Sequence, residues 1–227
     1  MLQVCVGFDP REQVAFYTLA HSIVQRASIP VTIAPLVQRQ LRSSGLYTRA
    51  RGPTESTEFS LTRFLVPALA GYRGWSLFMD CDMLCRADLA GLAAEMERQS
   101  DKAVLVVKHD YVPKTERKFL DQVQTKYARK NWSSLMLFNN ERCRALSAQY
   151  VNAASGLELH RFAWLDDALI GELPREWNWL VTEYDYNPAA KIVHYTLGGP
   201  WFEAYRDCDY AAEWLAERDA MSRSAEG

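Results

Sequence analysis

The stretch from Leu2 to Leu36 constrains the fold more than any other. Leu2 to Phe8 is a short apolar run that stops at Asp9-Pro10, the pattern of a buried strand ending in a turn. Glu12 to Ala27 then sets Phe16, Leu19, Ala20, Ile23 and Ala27 on one helical face. Pro30 closes that helix and Val31 to Leu36 reads as a second strand. A strand, a crossover helix and a second strand normally build parallel neighbours in one sheet. The expected fold class is therefore α/β, with a mostly parallel central sheet flanked by helices.

The remaining pattern fits a single domain. The chain has 227 residues, against domains of roughly 100–200. Arg39 to Thr57 is polar and reads as a long loop of the kind that often serves function. Phe59 to Leu69 is helical, with Pro67 opening a new short helix, and Ser76 to Met79 is a strand. Further helices are expected at Leu89–Gln99, Glu116–Ala128, Glu141–Ala153 and Trp164–Leu173. Further strands are expected at Ala103–Lys108, Ser134–Phe138 and Lys191–His194. The chain divides as a main domain over 1–209 and a C-terminal helix with a polar tail over 210–227.

Composition excludes some classes. The net charge of −2 argues against a nucleic-acid partner. The cluster Arg39, Arg42, Arg49 and Arg51 is either a solvated loop or a contact for an anionic substrate or membrane surface. The five cysteines are odd in number and show no zinc spacing, which fits reduced thiols. With no leader pattern and no run of ~20 apolar residues, a soluble cytoplasmic protein is expected. GxSxG, GxxxxGK[ST] and GxGxxG are all absent from the sequence.

Three segments carry candidate chemistry. Leu77-Phe78-Met79 runs directly into Asp80-Cys81-Asp82. Ligands of open α/β sheets bind beyond the carboxyl ends of strands. Two aspartates at i and i+2 there can hold a divalent cation, or can simply satisfy a turn. His194 ends a late strand ahead of Gly198-Gly199-Pro200-Trp201. Imidazole ligates manganese-type cations, and paired glycines allow backbone amides to approach phosphate; a core histidine beside a tight turn is the alternative. Asp166 and Asp167 either cap a short helix or grip sugar hydroxyls and offset positive charge at an anomeric carbon. Weaker candidates are Asp9 at the end of the first strand, Arg63 among apolar helical positions, and Ser133-Ser134 before a strand.

Taken in order, Asp9, Arg63, Asp80-Cys81-Asp82, Asp166-Asp167 and His194-Tyr195 with Gly198-Gly199-Pro200-Trp201 resemble the GT-A glycosyltransferases. The resemblance is nearest to the family 8 type, which includes glycogenin and bacterial lipopolysaccharide galactosyltransferases, and covers roughly residues 2–202. It implies a GT-A-like domain in which Asp80, Asp82 and His194 bind manganese or magnesium. It places Asp9 near the nucleoside, Arg63 near the donor phosphates or sugar, and Asp166 and Asp167 at the transferred sugar and acceptor. The donor implied is a nucleotide sugar, UDP-linked by preference, and the acceptor a glycan, lipid-linked or protein hydroxyl. Three positions depart from the family pattern. Gly199 stands where a lysine usually precedes Pro-Trp. Trp132-Ser133-Ser134-Leu135 replaces the Asn-x-Gly donor segment. Asp166 takes the place of a glutamine. Two rival readings share this fold: a sugar-nucleotide-binding protein without turnover, and a nucleotidyltransferase.

Overall fold

The computed structural model describes residues 1–52, 55–110, 117–118, 122–123 and 129–223. Strand β1 (Leu2–Gly7), helix α1 (Gln13–Arg26) and strand β2 (Val31–Leu36) form the expected crossover, with the two strands parallel. A 3-10 turn over Pro10–Glu12 leads into α1, and Asp9 caps it by accepting from the Arg11 amide. Helix α1 buries Ala15, Phe16, Leu19 and Ile23 against the sheet.

Helix α2 (Gln38–Ser43) occupies the start of the segment expected to be irregular from Arg39. Only Gln38 and Leu41 of this helix are buried, so no apolar period announces it. Polar contacts hold it instead: Gln38 donates to the Glu58 carbonyl at 2.6 Å, and Arg42 donates back to Gln38 at 3.2 Å. The basic cluster partly turns inward. Arg42 donates to the Arg49 carbonyl at 2.8 Å, and Arg49 donates to the carbonyls of Val151 and Ala154 at 2.9 and 2.6 Å.

Helix α3 (Val66–Leu69) begins around Pro67 as expected and leads to β3 (Trp75–Met79). Next come β4 (Met83–Cys85), α4 (Ala93–Arg98) and β5 (Val104–Val106). The helix expected over Glu116–Ala128 falls largely outside the described residues. The two short pieces that are described, β6 (Arg117–Lys118) and β7 (Gln122–Val123), pair as antiparallel strands rather than as helix. Strand β8 (Leu135–Asn139) is followed by a 3-10 turn at Asn140–Arg142 and helix α5 (Ala148–Ala153). The expected continuous helix from Glu141 is broken because Ser147 starts a fresh one, its hydroxyl capping the Tyr150 amide.

Helix α6 (Gly156–His160) carries a capping box between Ser155 and Glu158. The helix expected over Trp164–Leu173 is corrected to a 3-10 turn at Asp167–Leu169 and strand β9 (Ile170–Glu172). Three residues are too few for an alternating pattern to show. Gly171 is what lets β9 dock, since a Cβ there would lie 2.4 Å from Leu105 on the neighbouring strand. The chain closes with β10 (Trp179–Leu180), β11 (Ile192–His194) and α7 (Ala211–Ser222).

The main sheet runs β2-β1-β3-β8-β5-β9. Strand β8 is antiparallel to both neighbours and the other pairings are parallel, so five of the six strands point one way. Central strands β3 and β8 are nearly all apolar, with Leu77, Phe78, Met79 and Leu135 through Phe138 fully buried. Strands covered on both faces read this way. A second, small sheet of order β10-β11-β4 stands beside the first. Helix α7 packs near α1, where Glu217 pairs with Arg26 at 2.8 Å, and its Trp214 is fully buried beside Trp201. Among the described residues no helix is long and apolar enough to cross a membrane.

Candidate active site

The corner between the two sheets is Asp80-Cys81-Asp82. β3 ends at Met79 and β4 starts at Met83, so these three residues turn the chain from one sheet into the other. Cys81 is fully buried, while the Asp80 and Asp82 side chains keep 14% and 20% exposure. Both ends of the corner are pinned: the Asp80 amide donates to the Ser134 carbonyl and the Tyr195 amide to the Asp82 carbonyl, each at 2.9 Å. Antiparallel pairing of His194 with Met83 then delivers the imidazole beside Asp82.

The carboxylates and the imidazole form a cradle. One ligand atom from each of Asp80, Asp82 and His194 lies within 4.8 Å of the others. His194 Nε2 faces Asp82 Oδ1 at 3.3 Å, and that oxygen, though buried, accepts no hydrogen bond among the described residues. Burial alone would lower the His194 pKa, but the Asp82 carboxylate, with help from Asp80, raises it above the ordinary value. Two hard oxygen donors and one imidazole are a suitable set for manganese or magnesium.

Arg63 stands behind this cradle and is buried. Its Nη1 reaches Asp80 Oδ1 at 2.9 Å and the Ser133 carbonyl at 2.8 Å, and its Nε donates to the Phe59 carbonyl at 3.2 Å. The guanidinium carbon lies 5.4 Å from the Phe59 ring centre and 4.9 Å from that of Phe78. Arg63 therefore ties the Asp80-Cys81-Asp82 corner to the 3-10 turn that carries Ser133 and Ser134. Ser133 Oγ pairs with His160 Nδ1 at 2.7 Å.

A cavity of about 520 Å³ opens over these groups. Its wall includes Asp80, Asp82, His194, Arg63, Ser133 and Ser134, all expected at a site, and also His160, Lys130 and Glu12, which were not. Glu12 is only 3% exposed, and its carboxyl has no hydrogen bond or ion pair among the described residues. Burial, then the Asp82 and Asp9 carboxylates, push its pKa up to about 9. Nothing in the sequence marks this residue: an acid in the first turn of a helix is ordinary dipole complementation.

The other expected site residues do not line this cavity. Asp9 is fully buried and already engaged, accepting from the amides of Arg11 and Glu58 and from the Arg11 guanidinium at 2.6 Å. Burial would raise its pKa, but these donors outweigh it and hold it below the usual value. Asp166 is exposed and caps the turn at Asp167–Leu169, accepting from the Ala168 amide at 2.9 Å. Asp167 is 75% exposed and pairs with Arg129 at 2.5 Å. The structure thus shows the capping geometry at this pair and does not bring it to the cradle.

Gly198 and Gly199 pack against this chain's own aromatic rings. Gly198 has φ +128° and a Cβ there would meet Tyr205 at 2.6 Å; at Gly199 it would meet Trp201 at 2.0 Å. Gly199→Ala is expected to force Trp201 out of place and cost about 1–3 kcal/mol, read as a fall in Tm of roughly 2–4 °C per kcal/mol. An unchanged Tm would show that Trp201 swings aside freely.

No known family model matches the sequence. Among solved structures, the chain superposes on the apo bifunctional glycosyltransferase WbbM with a TM-score of 0.64 at 15% identity, covering 99% of this chain and 50% of that one. The chain thus spans half the length of WbbM. It superposes on the galactosyltransferase LgtC, bound to donor and acceptor sugar analogs, with a TM-score of 0.61 at 12% identity, covering 99% and 98%. The match to the glycosyltransferase GlyE of Streptococcus pneumoniae TIGR4 has a TM-score of 0.60 at 13% identity, covering 95% and 59%. The fold is therefore the GT-A glycosyltransferase fold, resembling the family 8 type. In sequence, Protein CDI of Arabidopsis thaliana is 47% identical over 229 residues, which is 97% of this chain and 87% of that protein. The chain belongs to the family of Protein CDI.

Proposed function

We propose that the chain is a metal-dependent glycosyltransferase that moves a sugar from a nucleoside diphosphate donor, UDP-linked, to a hydroxyl of a glycan, lipid-linked or protein acceptor. The observation that carries this reading is the Asp80, Asp82 and His194 cradle on the wall of a 520 Å³ cavity, with Asp82 Oδ1 buried and without a hydrogen-bond donor among the described residues. Cavities of ~300–1,000 Å³ are the size of small-ligand sites. A manganese or magnesium ion held there supplies charge neutralisation for the departing diphosphate.

The chain's own residues divide the remaining work. Arg63 fixes the Asp80 carboxylate against the Ser133 turn. Ser133 and His160 offer a polar wall for sugar hydroxyls. Asp166 and Asp167 act on the transferred sugar in this reading only when the Arg129–Asp167 pair opens, because both now face solvent. That same arrangement favours a second reading, a donor-binding protein without turnover.

The test is a thermal-shift panel of nucleoside diphosphates, each with and without Mn2+, on the wild type and Asp82→Ala. A ligand at 100 times its Kd adds about 2.7 kcal/mol, or roughly 5–10 °C in Tm for a chain of this size. UDP is expected to stabilise the wild type only with Mn2+, and Asp82→Ala not at all. If no diphosphate shifts the melt with any divalent ion, the cradle is a turn and the proposal fails. Stabilisation without release of UDP from UDP-sugars in the presence of acceptors selects the second reading.

A further inference from the structure

Behind the cradle runs a chain of buried hydrogen bonds whose direction is fixed by chemistry. Ser134 Oγ lies 2.7 Å from the Asn131 carbonyl and 2.9 Å from Asn178 Nδ2. A carbonyl only accepts, so the single proton of Ser134 points at Asn131. Ser134 then meets Asn178 as an acceptor, which requires the amide nitrogen of Asn178 to face it. The amide oxygen of Asn178 is left facing His194 Nδ1, at 3.1 Å. An amide oxygen also only accepts, so Nδ1 carries a proton. In the neutral imidazole, Nε2 is therefore a bare lone pair, and it lies 3.3 Å from Asp82 Oδ1. Two acceptors facing each other at that distance repel unless a positive charge sits between them.

We infer that Asn178 is a positioning residue for the metal ligand: it selects the Nδ1–H tautomer of His194 and so aims the Nε2 lone pair at the cation shared with Asp82. The inference rests on the metal-dependent reading above. Asn178 is fully buried at the end of the Arg175–Asn178 turn, directly before β10. β10 pairs with β11, and Leu180 stands opposite His194, so the small sheet fixes the reach of Asn178 to the imidazole. Ligating histidines generally take their orientation from an acceptor on the other ring nitrogen. Here the acceptor is in turn oriented by Ser134 and Asn131.

Two measurements test this. The first needs no metal: long-range 1H–15N spectra of the imidazoles in the full chain report which nitrogen of neutral His194 is protonated. The wild type is expected as Nδ1–H, and Asn178→Ala as a mixture or as Nε2–H. A wild-type His194 protonated at Nε2 overturns the inference whether or not any ion binds. The second is Mn2+ affinity by paramagnetic resonance. Asn178→Ala is expected to lose about 10–100-fold. Asn178→Asp keeps an acceptor on Nδ1 and is expected to hold within a few-fold of the wild type, with the Ser134 proton turned toward the new carboxylate. A role in packing alone would not separate these two variants; equal losses, or no loss in Asn178→Ala, overturn the inference. Should Asn178→Ala not fold, Ser134→Ala frees the amide to flip and is expected to give mixed tautomers and weaker Mn2+ binding. A wild type that shows the Nδ1–H form but binds no Mn2+ sinks the metal-dependent function and leaves the tautomer assignment standing.

Discussion

Arg63→Met is expected to destabilise the protein by about 3–5 kcal/mol, the usual cost of removing one partner from a buried ion pair. The thermal midpoint should fall by on the order of 10 °C. Arg63 is 6% exposed, and its Nη1 serves Asp80 at 2.9 Å and the Ser133 carbonyl at 2.8 Å together. Methionine fills the slot between Phe59 and Phe78 but takes the guanidinium charge away from a largely buried Asp80 carboxylate. Arg63→Lys is not a substitute, because a single ammonium cannot reproduce the planar fork between the two rings. The charge-specific part is isolated by adding Asp80→Asn. If the penalty comes from the lost Arg63–Asp80 charge pair, Arg63→Met with Asp80→Asn is more stable than Arg63→Met alone, a coupling of at least ~1 kcal/mol. Additive effects, or an Arg63→Met variant that melts with the wild type, would show that Arg63 is not what holds the corner.

The sequence exposed those parts of the fold whose residues repeat or sit at chain landmarks. The β1-α1-β2 crossover was legible because Phe16, Leu19 and Ile23 recur at helical spacing and are all buried. The Asp80-Cys81-Asp82 corner was legible because an apolar strand runs straight into it, and His194 because a strand ends there. What stayed hidden was set by tertiary contacts. α2 is held by the bond from its Gln38 to the Glu58 carbonyl and by Arg42 bonding back to Gln38, and β9 is three residues seated on Leu105 through Gly171. The role of Arg63 was half legible: the family resemblance implies a place near the donor phosphates or sugar, whereas the partner in the structure is the Asp80 carboxylate. Asn178 lies between Trp177 and Trp179, and nothing local shows that its amide is buried between Ser134 and His194. Glu12 is the sharpest case, since its chemistry depends on the strand ends around it, which only the assembled sheet brings together.

Glu12→Gln is expected to stabilise the metal-free protein, and to do so more as pH rises. Burial, followed by the Asp82 and Asp9 carboxylates, pushes the folded-state pKa of Glu12 up to about 9 from an ordinary 4.5. Between those values the folded chain keeps a proton that the unfolded chain has released. Stability therefore falls with rising pH across that window, because the folded state binds more protons than the unfolded one. Glutamine is neutral in both states and removes this slope. At pH 5 the two proteins should melt nearly together. At pH 8 the variant should be ahead by about 2–5 kcal/mol, reckoning ~1.4 kcal/mol for each tenfold change in proton affinity, or roughly 4–20 °C in Tm. Other titrating groups are common to both proteins and cancel in the comparison. Saturating Mn2+ should narrow the gap, since a cation among Asp80, Asp82 and His194 offsets the negative charge that helps to keep Glu12 protonated. A Glu12→Gln variant with the same advantage at pH 5 and pH 8, or with none, would mean that the Glu12 carboxyl is not held protonated against the cradle. An advantage that survives Mn2+ undiminished would mean that the ion binds away from Asp82.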